Sequence, residues 1–234
     1  MPDAVTPVLL AAAGGIFPAL AWLWFWRRED AAHPEPRRLI ALAFIAGMIT
    51  VAAVIPIQKS LAAVFAAPAL LFAVWSAIEE LAKYLAARFS VLWRREVNEP
   101  IDVVIYMITV ALGFAALENA LFLLSPLSGT TTLETMLTGN LRFVGATLLH
   151  VLSSAVVGIA IAFAFYKPKA MRALYALVGV ILASLLHAGF NFLILEQSEE
   201  YLLRTFAIVW FGLVFVLAVI EYVKRIRPSR YTKR

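Results

Sequence analysis

The sequence predicts an all-α fold, a polytopic membrane helical bundle, from three observations. Hydrophobic residues make up 63% of the 234 positions and charged residues only 15%, and the mean hydropathy is +0.87. The chain contains several runs of the roughly 20 apolar residues that a helix needs to cross a bilayer. Its basic residues are concentrated after alternate runs. This composition excludes a soluble globular domain.

Seven apolar runs predict about seven transmembrane helices in a single domain, residues 1–234, with short connections. The N-terminal segment lacks the basic flank of a cleaved signal peptide, so the first run is expected to remain as a span. The chain has no cysteine, which excludes disulfides, thiolate zinc sites and a catalytic cysteine. The predicted spans are about 5–26, 39–57, 64–89, 101–124, 142–166, 172–195 and 201–223.

The basic residues predict the orientation of the bundle. Sixteen of the 20 Lys and Arg residues follow the first, third, fifth and seventh runs. By the positive-inside rule, the N-terminus is outside and the C-terminus is cytoplasmic. This placement also accounts for the pI of about 9.6. The lipid bilayer is therefore the expected partner of the basic residues, and no nucleic acid is expected.

Charged residues lie well inside the third run, in the segment WSAIEELAKYL. At the centre of a membrane helix each such group costs about 2.5–3.5 kcal/mol on insertion scales. On a helix, Lys83 can pair with Glu79 four residues before it or with Glu80 three residues before it. The lysine can neutralise only one of them, so one carboxylate needs another explanation.

Three further runs also carry polar residues: Glu118 and Asn119 in the fourth, His150 and Ser154 in the fifth, and His187 and Asn191 in the sixth. At about 1.5 Å of rise per residue, all these groups fall in one layer between the midplane and the outer leaflet. The three glutamates and the lysine leave an excess of two negative charges. Bound protons, protonated histidines or a divalent metal must remove it, because buried unpaired charge is costly.

Structural roles account for single members of this set and for several other residues. A lone membrane Glu–Lys pair is commonly a clamp, and a lone membrane His or Asn commonly bonds neighbouring helices. Five such groups on four helices at one depth favour a functional site instead. Asp102, beside Pro100, is expected to cap the fourth helix. Gly113 is expected at a helix contact, and His33 in a solvated loop has no expected role.

Taken together, these motifs resemble the PrsW family of intramembrane proteases, which is related to the type II CAAX prenyl endopeptidases and to bacteriocin-processing proteins. The resemblance covers nearly the whole chain. Two positions depart from the wider group, because Glu118 stands where the CAAX enzymes have a histidine and Lys83 replaces an arginine one position later. The matching segments are RREDAAHPEPRR (Asp30, Pro34, Glu35, Pro36), Glu79-Glu80-x-x-Lys83, Glu99-Pro100-x-Asp102-x-x-x-Tyr106, Gly113-Phe114-x-x-x-Glu118-Asn119, His150-x-x-x-Ser154 and His187-x-x-x-Asn191.

The resemblance implies an endopeptidase of the bacterial cytoplasmic (inner) membrane. It would cleave a membrane-protein substrate that has a transmembrane segment, of the anti-sigma-factor type, near the outer leaflet. The residues suit glutamate-activated water. The predicted catalytic residues are Glu79 and Glu80 as base and partner, Glu118, His150 and His187 as ligands or acid/base groups, and Asn191 as oxyanion donor, with Lys83, Asn119 and Ser154 in support.

Two questions stay open at this level. Either Glu79 or Glu80 can be the base. Glu118, His150 and His187 form a two-histidine, one-carboxylate set that resembles a hydrolytic zinc site, so Zn²⁺ or another divalent metal is one option. A metal-free mechanism, as in the CAAX relatives, is the other. Two alternative functions are a proton-coupled transporter, which lacks support from any inverted repeat, and a non-catalytic scaffold with the same fold.

Overall fold

The computed structural model describes residues 5–31, 33–65, 67–127, 133–195 and 199–227. Within these residues all regular secondary structure is helical, with seven α-helices and no strand. The all-α prediction is therefore confirmed. The helices are α1 (Val5–Trp26), α2 (Arg37–Ala62), α3 (Pro68–Ser90), α4 (Pro100–Leu127), α5 (Leu133–Phe163), α6 (Lys169–Leu195) and α7 (Glu199–Val223).

Five of the seven helices contain a stretch long and apolar enough to cross a membrane: α1, α2, α4, α5 and α6. Helix α3 is not among them, because Glu79, Glu80 and Lys83 lie near its middle. The apolar part of α7 with described side chains is the shorter segment Ala207–Val223. These apolar helices identify the chain as a helical membrane protein. The count of seven spans and the direction of the termini stay predictions.

Helix α4 is the core of the bundle. Every residue from 101 to 116 is buried, and α4 packs against α1, α2 and α5. Helix α3 lies between α2 and α6, and α7 packs mainly on α5. Because α4 has neighbours on all sides, its apolar residues show no single hydrophobic face, as expected for a helix in the centre of a large bundle.

Helices α2 and α4 approach each other backbone to backbone. A Cβ atom at Gly113 would lie 1.9 Å from the carbonyl oxygen of Phe44, and a Cβ at Gly47 would lie 2.0 Å from that of Val110. No side chain fits at such distances, and small residues are what allow membrane helices to pack this closely. The expected packing role of Gly113 is confirmed. The close contact positions Phe114, which packs against the functional site.

Two local expectations can be compared with the structure. Asp102 caps α4, because its Oδ2 accepts hydrogen bonds from the backbone N–H groups of Asn98 at 2.8 Å and Glu99 at 2.7 Å. Helix α5 begins at Leu133, nine residues before the predicted span at 142. An apolar run gives only the minimum length of a helix, since helix-forming residues such as Leu, Glu and Met extend it beyond the apolar part.

Candidate functional site

A polar cavity of about 230 Å³ lies between the helices, near the end of the bundle where α2 ends and α3 begins. Five helices contribute to it, each with residues from the half nearest that end. Four of the side chains carry an ionisable group, and apolar and aromatic residues surround them. The cavity is lined by Gln58, Phe72, Trp75, Glu79, Glu118, Asn119, Phe122, Ala146, Leu149, His150, His187, Phe190 and Asn191.

Glu80 lies behind the cavity and is completely buried. Its Oε1 accepts hydrogen bonds from Lys83 Nζ at 2.6 Å and from the Ser153 hydroxyl at 2.8 Å. The same oxygen lies 2.7 Å from Nδ1 of His187. A carboxylate can only accept, so His187 carries its proton on Nδ1. Its Nε2 lies on the side of Glu79, 3.7 Å from Oε2.

Lys83 is also completely buried, and it joins two of the ionisable groups. Besides its bond to Glu80, its Nζ lies 3.0 Å from Nδ1 of His150. An ammonium group only donates, so Nδ1 of His150 accepts and its Nε2 carries the proton. That Nε2 lies 2.7 Å from Oε2 of Glu118, which receives the bond. The ring of Phe114 lies below the lysine, 5.0 Å from Nζ to the ring centroid.

Glu79 differs from its neighbour because it faces the cavity. Its Oε1 accepts a hydrogen bond from Gln58 at 2.7 Å. Its Oε2 is buried, and within the described part of the chain it has no hydrogen-bond partner. Nε2 of His187 lies 3.7 Å from Oε2. A carboxylate oxygen without a partner thus lies beside an imidazole nitrogen on the cavity wall.

The pairing of the lysine was open in the sequence, and the structure pairs it with Glu80. The i,i+4 alternative with Glu79 is not the one that forms. The local reason is that Glu80 and Lys83 both point away from the cavity toward α5, where Ser153 and His150 bind them. Glu79, one position earlier, is turned by about 100° around the helix and faces the cavity.

The two asparagines bind hydroxyl groups of neighbouring helices. The amide of Asn119 donates to the Thr147 hydroxyl at 2.9 Å, and that of Asn191 donates to the Ser76 hydroxyl at 3.1 Å. Both asparagines line the cavity. Ser154, predicted as a supporting residue, is buried, and its hydroxyl has no hydrogen-bond partner among the described residues. The structure does not bring it into contact with the ionisable groups.

Sequence reasoning missed two residues that contact the glutamates, Ser153 and Gln58. Ser153 is three residues after His150, which is one of the two spacings that share a helix face, so the signal was present. The sequence motif predicts Ser154, four residues after His150, in this role instead. Gln58 is in the last polar turn of α2, where a polar residue is unremarkable, and only the folded position reveals its contact.

Three groups at the cavity have the spacing of a metal site. One ligand atom each from Glu79, His150 and His187 lies within 4.8 Å of the others, and all three residues are buried. The set therefore differs from the predicted one by Glu79 in place of Glu118. Two imidazoles and one carboxylate are ligands that hydrolytic zinc sites use. His187 also donates its other nitrogen to a carboxylate, as metal-binding histidines commonly do.

The comparison with known families shows to which family the chain belongs. Residues 35–220 match the model of the PrsW family, described as intramembrane metalloproteases. The chain belongs to the PrsW family. It is 31% identical over 193 residues to Protease PrsW of Geobacillus kaustophilus, which is 80% of each chain.

Two other PrsW relatives match over most of their length. Protease PrsW of Shouchella clausii is 29% identical over 231 residues, 97% of this chain and 99% of the relative. Protease PrsW of Bacillus subtilis is 25% identical over 207 residues, 86% and 91% of the two chains. No solved structure matches the chain significantly. The PrsW resemblance read from the motifs is thus confirmed, and the protein is a membrane protease, a hydrolase.

Proposed function

We propose that this PrsW protein cleaves a peptide bond of a membrane protein by glutamate-activated water at the cavity, with Glu79 as the general base. The observation that carries the assignment is the pair formed by Oε2 of Glu79, which has no partner in the described chain, and Nε2 of His187, 3.7 Å away. We place the attacking water at this pair, where it would donate one hydrogen bond to the carboxylate and one to the imidazole nitrogen. Glu79 then takes the proton as the water attacks.

The roles of the other residues follow from their contacts. Glu80 is bound by Lys83, Ser153 and His187, so it fixes the orientation of the imidazole and does not reach the substrate. His187 holds the attacking water at Nε2.

Amide donors can stabilise the oxyanion that forms when water attacks the carbonyl. Asn191 and Asn119 both present side-chain amides at the cavity wall and are proposed for this role. The proton taken by Glu79 is proposed to pass to the leaving amine, with the His150–Glu118 pair, which lines the same cavity, assisting the transfer.

The same residues could hold a divalent cation such as Zn²⁺ if His150 gives up the hydrogen bond from its Nε2 to Glu118. Glu79, His150 and His187 would then hold the ion, and it would supply Lewis-acid polarisation of the carbonyl and a more acidic bound water. Glu118, the remaining carboxylate on the cavity wall, is then the group placed to accept the proton. The two assignments share one set of residues and differ in which glutamate is the base.

The substrate proposal rests on the family and on the location of the cavity. The cavity lies between membrane helices, which suits a substrate that enters from the bilayer as a transmembrane segment. We infer a single-span substrate of the anti-sigma-factor type in the bacterial cytoplasmic membrane, cleaved near the outer leaflet. This class follows from the PrsW resemblance rather than from any residue of the cavity.

The test is cleavage in detergent or proteoliposomes of a panel of single-span membrane proteins tagged at both ends, anti-sigma factors included. The expected result is a defined cut that Glu79→Gln abolishes and that Glu221→Gln, a surface control paired with Lys224, leaves unchanged. Elemental analysis and a strong chelator distinguish the two assignments. A metal-dependent enzyme loses activity with its ion, and Glu118→Gln then inactivates it while the ion stays bound. Normal cleavage by Glu79→Gln would overturn the proposal.

A further inference from the structure

Three carboxylates meet at the opposite end of α4 from the cavity. Asp30 and Glu35 come from the connection between α1 and α2, and Asp102 comes from the first turn of α4. One carboxylate oxygen of each lies within 4.8 Å of those of the other two. All three residues are buried, with 6%, 7% and 2% of their surface exposed. A chain does not bury three acids together without a compensating group.

The protein itself compensates only part of this charge. Asp102 accepts two backbone hydrogen bonds, and Glu35 accepts one from the hydroxyl of Tyr106. The carboxyls of Glu35 and Asp102 are also hydrogen-bonded to each other, and Asp30 accepts a bond from the backbone N–H of Glu35. Oδ2 of Asp30 is buried and, in the part of the chain that the structure describes, has no hydrogen-bond partner. One carboxylate oxygen of the group is thus left unsatisfied.

No basic side chain of the described residues reaches these acids. None has a nitrogen within 4.0 Å of the three carboxylates, although two basic residues lie close by. His33 lies 3.2 Å from Glu99, and Arg38 lies 2.8 Å from Glu96. The available basic groups are thus paired with neighbouring acids, and the three buried carboxylates face one another.

Burial and mutual repulsion act on the protonation of this group. Burial, together with the charges of Asp102 and Glu99, raises the pKa of Asp30 to about 6. Burial, with a contribution from Asp102 and against the hydrogen bond from Tyr106, raises the pKa of Glu35 to about 8. These carboxyls therefore bind protons more readily than exposed ones, so a cation at the site would compete with protons.

We propose that Asp30, Glu35 and Asp102 form a second site, which binds a hard divalent cation such as Ca²⁺, Mg²⁺ or Mn²⁺. The donors are all oxygens, which these ions prefer over nitrogen or sulfur. Oxygens on opposite sides of Ca²⁺ are about 4.6–5.2 Å apart, and the three oxygens lie within 4.8 Å of one another, close enough to share one ion. A cavity of about 470 Å³ borders Glu35 and Asp102 and provides an approach from the surface.

The bound cation joins two parts of the chain that are far apart in sequence. Glu35 lies just before α2 and Asp102 in the first turn of α4, so the ion ties the α1–α2 connection to the core helix. Its role is therefore structural, and it is separate from the reaction at the cavity. The Tyr106 hydroxyl, bonded to Glu35, places an aromatic ring next to the site.

The test uses the purified full chain with Ca²⁺ and Tb³⁺ as probes. After chelator treatment and desalting, Tb³⁺ luminescence excited through Tyr and Trp should appear and be displaced by Ca²⁺. At a Ca²⁺ concentration about 100 times its Kd, the Tm of the wild type should rise by about 5 °C or more. Asp30→Asn and Glu35→Gln should lose both responses, while Glu221→Gln keeps them.

A second measurement separates loss of binding from loss of folding. In chelator, Asp30→Asn removes one of the repelling charges with almost no change in shape, so its Tm should equal or exceed that of the wild type. Both substitutions leave Glu79, His150 and His187 intact, so a lost response belongs to the second site. A wild type with no Ca²⁺-dependent Tm shift and no displaceable luminescence overturns the proposal. So does a response that Asp30→Asn and Glu35→Gln retain.

Discussion

Glu79 and Glu80 are neighbours in the chain, yet Glu79 lines the cavity while Glu80 is fully buried behind it in contact with Lys83. A rotation of about 100° around one helix thus separates a carboxylate that can meet substrate from one that holds other side chains in place. This difference gives each glutamate its own expected mutant behaviour.

Replacing each glutamate by glutamine distinguishes the two roles. Glu79→Gln keeps the acceptor for Gln58 and should reduce cleavage about 10²-fold or more, because the base is lost, while the Tm stays unchanged. Glu80→Gln leaves Lys83 buried without its counter-charge, so a loss of about 3–5 kcal/mol of stability should accompany inactivity. Cleavage rates and thermal unfolding in detergent check both. Equal stability losses in the two variants would contradict the assignment.

A double substitution tests whether the lysine is needed for folding or only for charge balance. Lys83→Met alone strands the Glu80 carboxylate among apolar residues and should destabilise the protein strongly. Adding Glu80→Gln removes the stranded charge and should restore most of the stability, with activity still absent because His187 then has a neutral acceptor in place of a carboxylate. The Tm values of the single and double variants give the coupling. A double variant no more stable than Lys83→Met alone would rule out charge compensation.

The two adjacent serines should respond differently. Ser153→Ala removes a hydrogen bond to the Glu80 carboxylate and should cost about 1–2 kcal/mol of stability and part of the activity. Ser154→Ala removes a hydroxyl that has no partner among the described residues, so it should be neutral or slightly stabilising. Thermal unfolding measures both variants, and each variant is the control for the other. The reverse order would show that Ser154 has the contact that the sequence predicted for it.

The close approach of α2 and α4 predicts a steric effect. Gly113→Ala places a methyl group 1.9 Å from the Phe44 carbonyl oxygen, so the two helices must separate and both the Tm and activity should fall. Gly189→Ala, with nothing within 4 Å of the new Cβ, is the matched control and should be tolerated. If the two alanines had the same effect, the helix contact would not be limiting.

Orientation can be measured with reporter fusions along the chain. Fusions after Arg95 or Lys169 should report a cytoplasmic position, because these residues belong to the basic clusters. A fusion at Thr131, which lies outside the described residues, should report an external position. A cytoplasmic signal there would overturn the seven-span topology.

Much of the site could be predicted because charged residues inside apolar runs are rare and expensive. That cost singled out Glu79, Glu80, Lys83 and Glu118, and helix spacing put each on a definite face. Spacing alone could not say which glutamate Lys83 would choose, since both i,i+3 and i,i+4 pairs are possible. The choice depends on Ser153 and His150 of another helix, which only the folded bundle brings near.

The helices themselves were predictable from apolar length, and their ends were less so. The start of α5 at Leu133 was missed because helix-forming residues continue beyond the apolar run. The acidic group of Asp30, Glu35 and Asp102 also could not be predicted from the sequence. Its members are up to 72 positions apart, and each has an ordinary explanation as a loop or capping residue. Their convergence depends on how the α1–α2 connection folds onto α4.

The burial of α4 has a consequence for how the protein responds to bilayer thickness. Apolar side chains exposed to lipid lie on the surrounding helices, as at Phe17, Ile49 and Leu185. A thicker or thinner membrane therefore acts on those helices, which can tilt to match it. Asp102 and Glu118 are 16 residues apart on one buried helix, a distance of about 24 Å. The length of α4 between Asp102 and Glu118, rather than the lipid, sets the distance between the cavity and the acidic group.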